Sequence, residues 1–346
     1  MSPSDLPRFG VRLHGGLAPH RCIELGLAAE ASGFHSLWFA ENPFHRGVLP
    51  AASALAAQTT RIKLGIGIVN PYNRHPTLIA MEFGALDELA GGRAVLGIGS
   101  GIGAQVERMG FRYRPLAALR DTTDIVRGLL RGDEVTYRGH AFAADKVKLG
   151  FRPPRPDMPI YMASMGDRSL ELCGRLADGL IVSNLCPPGY TERAIGIVQN
   201  SAADAGRAPL DIAQYAPCVA RPDRDAARQI AKSVIAEMLT TFWPVGGAWP
   251  PVRETIVRLS GIAKPEILAA LDRLRRGESA SAVLDDRFIK AFAIAGTAAD
   301  CLAQAGQYRR RGVDELVLTF AGAQPAEDMA YFAACLHDRA KPLACG

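Results

Sequence analysis

Three side chains of types that do chemistry stand at the ends of short apolar runs. His14 closes Phe9-Gly10-Val11-Arg12-Leu13, and Glu41-Asn42 follow Ser36-Leu37-Trp38-Phe39-Ala40. An imidazole, a carboxylate and an amide so placed can orient a small ligand and move a proton. Gly97-Ile98-Gly99-Ser100-Gly101 puts glycines into an apolar run, which weakens a strand and marks either close approach of the backbone to a partner or a tight turn. Met165-Gly166-Asp167-Arg168-Ser169 opens a helical pattern, whose free N–H donors would receive a phosphate. The plainer alternative there is that Asp167 caps the helix and Arg168 is solvated. His75, ahead of Pro76, reads as a helix cap, and His35, His45 and His140 as structural or solvated. No Ser-His-Asp or H-E-x-x-H spacing occurs, so hydrolase and metalloenzyme chemistry lack support.

The elements that must carry these residues alternate along the whole chain. Strands are expected at 9–13, 36–40, 62–69, 94–99, 159–163, 179–183, 211–220 and 315–320, each followed by a helical pattern. Eight βα units with right-handed crossovers close most simply as a (β/α)₈ TIM barrel; a doubly wound open sheet is the rival. Two departures are expected. Glu134 to Phe142 forms a small β-hairpin around Arg138-Gly139. A mostly helical insertion, about 223–292, separates strands seven and eight and breaks at Phe242 to Pro251, where Pro244, Pro250 and Pro251 cannot continue a helix. That insertion falls on the C-terminal face, where it is placed to contribute to a lid. With no linker and no low-complexity run, residues 1–346 are expected to form one domain.

Hydrophobic residues make up 48% and charged residues 22%, ordinary globular composition that can bury a large core. The net charge of +5 is spread thinly, with Arg309-Arg310-Arg311 its densest cluster, and there is no patterned basic stripe for nucleic acid. Seven scattered cysteines without a C-x-x-C pair argue against a disulfide framework and for a reducing cytoplasm. No secretory pattern is visible, and no apolar stretch approaches the roughly 18 residues of a membrane span. A soluble cytoplasmic protein is expected, acting on a small molecule and not on membrane or nucleic acid.

Four segments, each at a strand end, carry a resemblance: Trp38-Phe39-Ala40-Glu41-Asn42; Gly65-Ile66-Gly67-Ile68-Val69-Asn70-Pro71-Tyr72-Asn73-Arg74-His75-Pro76; Gly97 to Gly101; and Tyr161-Met162-Ala163-Ser164-Met165-Gly166-Asp167-Arg168-Ser169. A weaker signal is Phe292 to Thr297, with Gly312-Val313-Asp314 leading into the last strand. Together they resemble the luciferase-like superfamily, in particular its methylenetetrahydromethanopterin reductase-like branch, from about residue 9 to 320. The resemblance implies an oxidoreductase that moves a hydride between the deazaflavin coenzyme F420 and a small organic substrate. FMN-dependent monooxygenation and a non-catalytic flavin-binding relative are the alternatives. It implies a bulge at the end of strand three with a cis peptide at Gly67-Ile68, forming a shelf for one face of the ring. The implied cofactor contacts are Gly67, Ile68, Val69, Asn70, Gly99, Ser100, Gly101, Ala163, Ser164, Met165, Gly166, Arg168 and Ser183, with His14, Glu41 and Asn42 at the reacting side. Arg74 and Arg168 would lie near a basic rim suited to an acidic cofactor tail. Where sugar-phosphate dehydrogenases of the superfamily carry a catalytic His and Glu, this chain has Asn42 and Ile102, which argues against sugar-phosphate oxidation. Relatives often pair through helices near strands two to four, so a homodimer or higher homo-oligomer is expected, and a separate reductase is a natural source of reduced cofactor.

Overall fold

The computed structural model describes residues 5–243 and 249–340. Strict alternation in the first apolar run builds β1 (Arg8–His14): Phe9, Val11 and Leu13 join the core under the helices, while Gly10, Arg12 and His14 occupy the opposite face. The chain continues through α1 (Pro19–Ala31), β2 (Ser36–Ala40), α2 (Leu49–Gln58), β3 (Lys63–Val69), α3 (Pro76–Leu89) and β4 (Ala94–Gly99). Next come α4 (Gly103–Arg108), α5 (Pro115–Leu130) and the antiparallel pair β5 (Val135–Arg138) and β6 (Ala143–Val147). The βα alternation resumes with β7 (Ile160–Ala163), α6 (Asp167–Leu176), β8 (Gly179–Val182), α7 (Pro188–Asp204) and β9 (Asp211–Ala220). Five helices follow: α8 (Arg224–Phe242), α9 (Pro251–Leu259), α10 (Lys264–Arg275), α11 (Ala280–Val283) and α12 (Asp286–Phe292). The last elements are β10 (Ile294–Gly296), α13 (Ala298–Arg310), β11 (Glu315–Phe320) and α14 (Pro325–Ala340).

Every pairing in the large sheet is parallel, and the order β1-β2-β3-β4-β7-β8-β9-β11 closes on itself because β9 pairs with both β8 and β11, and β11 with β1. This is the expected (β/α)₈ barrel, and the closure excludes the open sheet. The helical excursion lies between the seventh and eighth barrel strands and breaks after Phe242, as expected; residues 244–248 of that break lie outside the described residues.

Two details differ from expectation. The hairpin turns over Gly139–Phe142, and its second strand runs on to Val147, because Asp121 on α5 accepts the N–H groups of Ala141 (2.7 Å) and Phe142 (3.0 Å) and fixes the turn there. The weak signal near Phe292 is a ninth strand: β9 runs ten residues, past the barrel rim, and β10 pairs with its C-terminal end at Cys218–Ala220.

The barrel interior is filled. Trp38, Val95, Tyr161, Ile181, Ala213, Tyr215 and Val317 form its apolar middle. Below them, at the N-terminal ends, Arg8 pairs with Asp211 at 2.5 Å, Tyr161 donates to the same carboxylate at 2.6 Å, and Ser36 hydrogen-bonds Glu315. With that end plugged by polar groups, a ligand is left the C-terminal mouth.

Candidate active site

The mouth is shaped by an irregularity in β3. Ile66 pairs with Leu96 and Val69 with Ile98, so three steps along β3 oppose two along β4, a bulge with its extra residue at Gly67-Ile68. The Gly67-Ile68 peptide is cis, as the resemblance implied. The space beside Gly67 is closed: a Cβ there would overlap the Tyr215 hydroxyl and lie 2.9 Å from Trp38 Cε3. A Cβ on Gly97 would lie 2.5 Å from the Ile66 carbonyl oxygen, and one on Gly99 2.8 Å from Ile68 Cδ1. The β4 glycines therefore make room for the bulge itself. The sequence marked a close approach over Gly99 to Gly101, and the protein groups met there are Ile68 of β3 at Gly99 and Asn70 at Gly101.

Beyond the bulge the chain becomes polar and buried. Val69 and Asn70 are sealed, at 1% and 2% exposure. Asn70 Oδ1 accepts the Tyr72 N–H at 3.0 Å, while its Nδ2 is enclosed without a partner. Gly101 has φ +73°, which favours glycine, and a Cβ there would overlap that same Nδ2. Ser100 Oγ lies 3.0 Å from the Tyr113 hydroxyl, which donates to the Gly101 carbonyl at 3.2 Å, so α4 and its following loop brace the end of β4.

At the end of β7, Ala163 is half-buried against the interior cluster, and Ser164 is buried with an unpartnered Oγ. The Met165 carbonyl accepts from the Tyr190 hydroxyl. Gly166 is the N-cap of α6 and offers no side-chain cap, which leaves first-turn N–H groups open. Asp167 is not that cap: its carboxylate is held by Arg193 at 2.7–2.8 Å. Arg168 projects from the same turn and is exposed. Ser183, just past β8, is half-buried with its carbonyl 3.3 Å from Gln214 Nε2, and next to it Asn184 Oδ1 is buried without a partner.

The expected reacting side divides. Glu41 is 6% exposed and both its oxygens lie 2.5–2.7 Å from Arg74 Nη1, while Arg74 Nε lies 3.0 Å from Glu82. This differs from the expectation for both residues: Glu41 is committed to an internal ion pair, and the charge of Arg74 is balanced by two carboxylates instead of standing free at a rim. Asn42 is exposed after β2. His14 is exposed at the mouth, and its pKa is held below the ordinary imidazole range by desolvation first and then by the Arg12 charge, which leaves the ring neutral at neutral pH. Glu237 of α8 opposes that shift, so the helical excursion comes near His14.

Sequence reasoning missed Arg12, Thr319 and Asn184. Arg12 Nε, Thr319 Oγ1 and Asn184 Oδ1 are buried without partners. Alternation through β1 would have found Arg12, since it shares the face of His14; Asn184 stands two residues past β8, where barrel strands deliver functional groups. On the outer side of the Asn70 loop, a cavity of 510 Å³ is lined by Tyr72, His75, Phe111, Arg112, Arg114, His140 and Phe142. Among the described residues there is no cluster of metal ligands, and no helix is long and apolar enough to cross a membrane.

The whole chain compares closely with known proteins. It is 34% identical over 295 residues to a 5,10-methylenetetrahydromethanopterin reductase of Methanolobus tindarius, covering 84% of this chain and 86% of that one. It is 32% identical over 222 residues to an F420-dependent glucose-6-phosphate dehydrogenase of Nakamurella multipartita, covering 60% and 65%. The solved structure of the coenzyme F420-dependent tetrahydromethanopterin reductase from Methanopyrus kandleri superposes with a TM-score of 0.84 at 25% identity, over 95% of this chain and 97% of that one. Residues 3–315 match the luciferase-like monooxygenase family, and with a closed barrel, a bulged third strand and glycines on the fourth to receive it, the chain belongs to that family.

Proposed function

We propose that this protein is an oxidoreductase that passes a hydride between coenzyme F420 and a small organic substrate. The observation that carries the reading is the set of enclosed, unpartnered polar atoms just past the ends of the third, fifth and sixth barrel strands: Asn70 Nδ2, Ser164 Oγ and Asn184 Oδ1. A buried donor or acceptor left without a partner is costly, so three of them just past the C-terminal ends of β3, β7 and β8 point to a polar-edged ligand that completes them. The F420-dependent relatives support the same cofactor. The fit is chemical as well: two donors and an acceptor suit the polar edge of a deazaflavin, and the glycine-lined bulge of Gly67, Ile68, Gly99, Ser100 and Gly101 suits its flat face.

Bound F420 would supply a two-electron hydride carrier at a ring carbon. The chain's own residues do the rest. Gly67 to Asn70 form the shelf; Ala163, Ser164, Met165 and Ser183 border it; Gly166 and Arg168 at the start of α6 receive the phosphate. Neutral His14 and the Asn42 amide face the substrate, and Glu41 acts by positioning the Asn70–Pro76 loop through Arg74. The barrel and its helical excursion act as one unit, in a reducing cytoplasm that suits six free thiols among the described residues. A stripe on α3 of Leu78, Met81, Ala85 and Leu89, all exposed, supports pairing of two copies. Where the protein consumes reduced cofactor, a separate reductase supplies it. Titration of the apo-protein with F420 and with FMN tests the reading. F420 is expected to bind more tightly; tighter FMN binding with oxygen-dependent turnover would replace this reading with FMN monooxygenation.

A further inference from the structure

Arg12 lies on the inward face of β1, two residues before His14. Its Nε is enclosed and bonded to nothing, and its guanidinium stands over the Tyr215 ring at 5.3 Å from the centroid. Among the described residues its charge is felt by the Tyr215 phenol and answered by no carboxylate. Val11 pairs with Leu318, so the next inward residue beside Arg12 is Thr319 on β11, whose Oγ1 is likewise enclosed and unpartnered. The Tyr215 hydroxyl, 3.4 Å from the Gly67 carbonyl, links this corner to the bulge. Other partly buried arginines find acceptors: Arg74 pairs with Glu41, Arg155 with Asp87 and Arg221 with Asp328, while Arg93 donates to the Ala56, Thr59 and Ile62 carbonyls and Arg253 to the Phe242 carbonyl.

Arg12 is half-buried, and a guanidinium partly withdrawn from water without an acceptor destabilises the fold, as does an unpartnered hydroxyl beside it. Such a pair at the mouth of a barrel is completed by a ligand. We propose that Arg12 and Thr319, with His14 above them, form an oxyanion subsite, and that the substrate of this enzyme carries a carboxylate received by Arg12. The unused Nε–H and a neighbouring Nη–H present two parallel donors, which match the two oxygens of a planar carboxylate. The subsite lies on the first and eighth strands, away from the third to sixth strands that carry the cofactor shelf. Calling its ligand the substrate rests on the F420 reading; the existence of the subsite does not.

The experiment measures thermal midpoints of the apo-protein with sodium oxalate as probe, against sodium chloride at equal ionic strength. Oxalate is expected to raise the wild-type midpoint by about 2 °C or more, Arg12→Lys to keep part of that rise, and Arg12→Met and Thr319→Val to lose it. Arg12→Met is also expected to melt above the wild type without ligand, because an uncompensated cation has been removed, and to bind F420 within about threefold of wild-type affinity. A lower midpoint for Arg12→Met would make Arg12 a structural residue and overturn the proposal. So would an equal oxalate shift in wild type and Arg12→Met, which would mean an adventitious ion only. Loss of F420 affinity in Arg12→Met would assign the cation to the cofactor and overturn the substrate assignment. Failure of the wild type to bind F420, with the oxalate response intact, would sink the cofactor reading and leave the subsite standing.

Discussion

Gly67→Ala is the sharpest probe of how the barrel interior holds the bulge. The new Cβ would overlap the Tyr215 hydroxyl and approach Trp38 Cε3 to 2.9 Å, and neither ring can retreat, since they are 5% and 1% exposed. Overpacking a sealed site costs about 1–3 kcal/mol, and two immovable rings argue for the upper end. Alanine recovers about 0.4–1 kcal/mol by restricting the unfolded chain, leaving a net loss near 2 kcal/mol. Tyr215→Phe removes the overlapping atom and leaves that ring's Cζ 3.2 Å away, with the Trp38 Cε3 contact at 2.9 Å remaining. Its own cost is small, about 1 kcal/mol at most, because the hydrogen bond it deletes is 3.4 Å long. The double variant is therefore expected to recover about 1–2 kcal/mol relative to the sum of the single changes. Urea unfolding followed by tryptophan fluorescence reads the stabilities, and F420 titration reads the shelf: Gly67→Ala should weaken binding at least about tenfold, and Tyr215→Phe should restore part of it. Additive losses, or a Gly67→Ala protein as stable as wild type, would refute the claim that Tyr215 is what requires a glycine there.

Three further outcomes follow from individual residues. Asn70→Asp keeps the oxygen that accepts from Tyr72 but loses the enclosed Nδ2 donor, so the protein should stay folded by circular dichroism while F420 affinity falls about 10–100-fold; unchanged affinity would remove Asn70 from the site. Arg168→Ala should weaken binding of the phosphorylated cofactor more than that of its phosphate-free riboflavin-like core, and equal losses would show that α6 does not receive the phosphate. His35 has its pKa pushed down to about 4, by desolvation first and then by Lys63 and Arg8. The unfolded chain binds the proton near the ordinary value of about 6.5, so stability present above that pH is lost as pH falls toward 4. His35→Gln should reduce the difference in unfolding free energy between pH 7.5 and pH 5 by roughly 1–2 kcal/mol after solvent screening, and equal acid slopes would contradict it.

Much of the fold was legible in local pattern because each barrel unit is locally encoded. Alternation in Phe9 to Leu13, the apolar runs at 36–40 and 94–99, and Gly33 and Gly91-Gly92 after helices fix strand and helix without long-range information. Eight such units leave few ways to close a parallel sheet. The placing of His14, Asn42, Asn70, Ser164 and Ser183 at strand ends follows from the same register, and the Gly67 to Pro76 run was readable through its resemblance. Pairing across the barrel was not readable, because it joins residues far apart in sequence. Nothing local ties Glu41 to Arg74, Asp121 to the hairpin turn, or Gly97 and Gly99 to the bulge of β3; each depends on two elements meeting at a fixed distance. The same holds for what is absent. Arg12 reads in sequence as one arginine among many, and only closure of the barrel puts it over Tyr215 and beside Thr319, paired with no carboxylate among the described residues, because a charge goes unanswered only with respect to neighbours that the tertiary structure supplies.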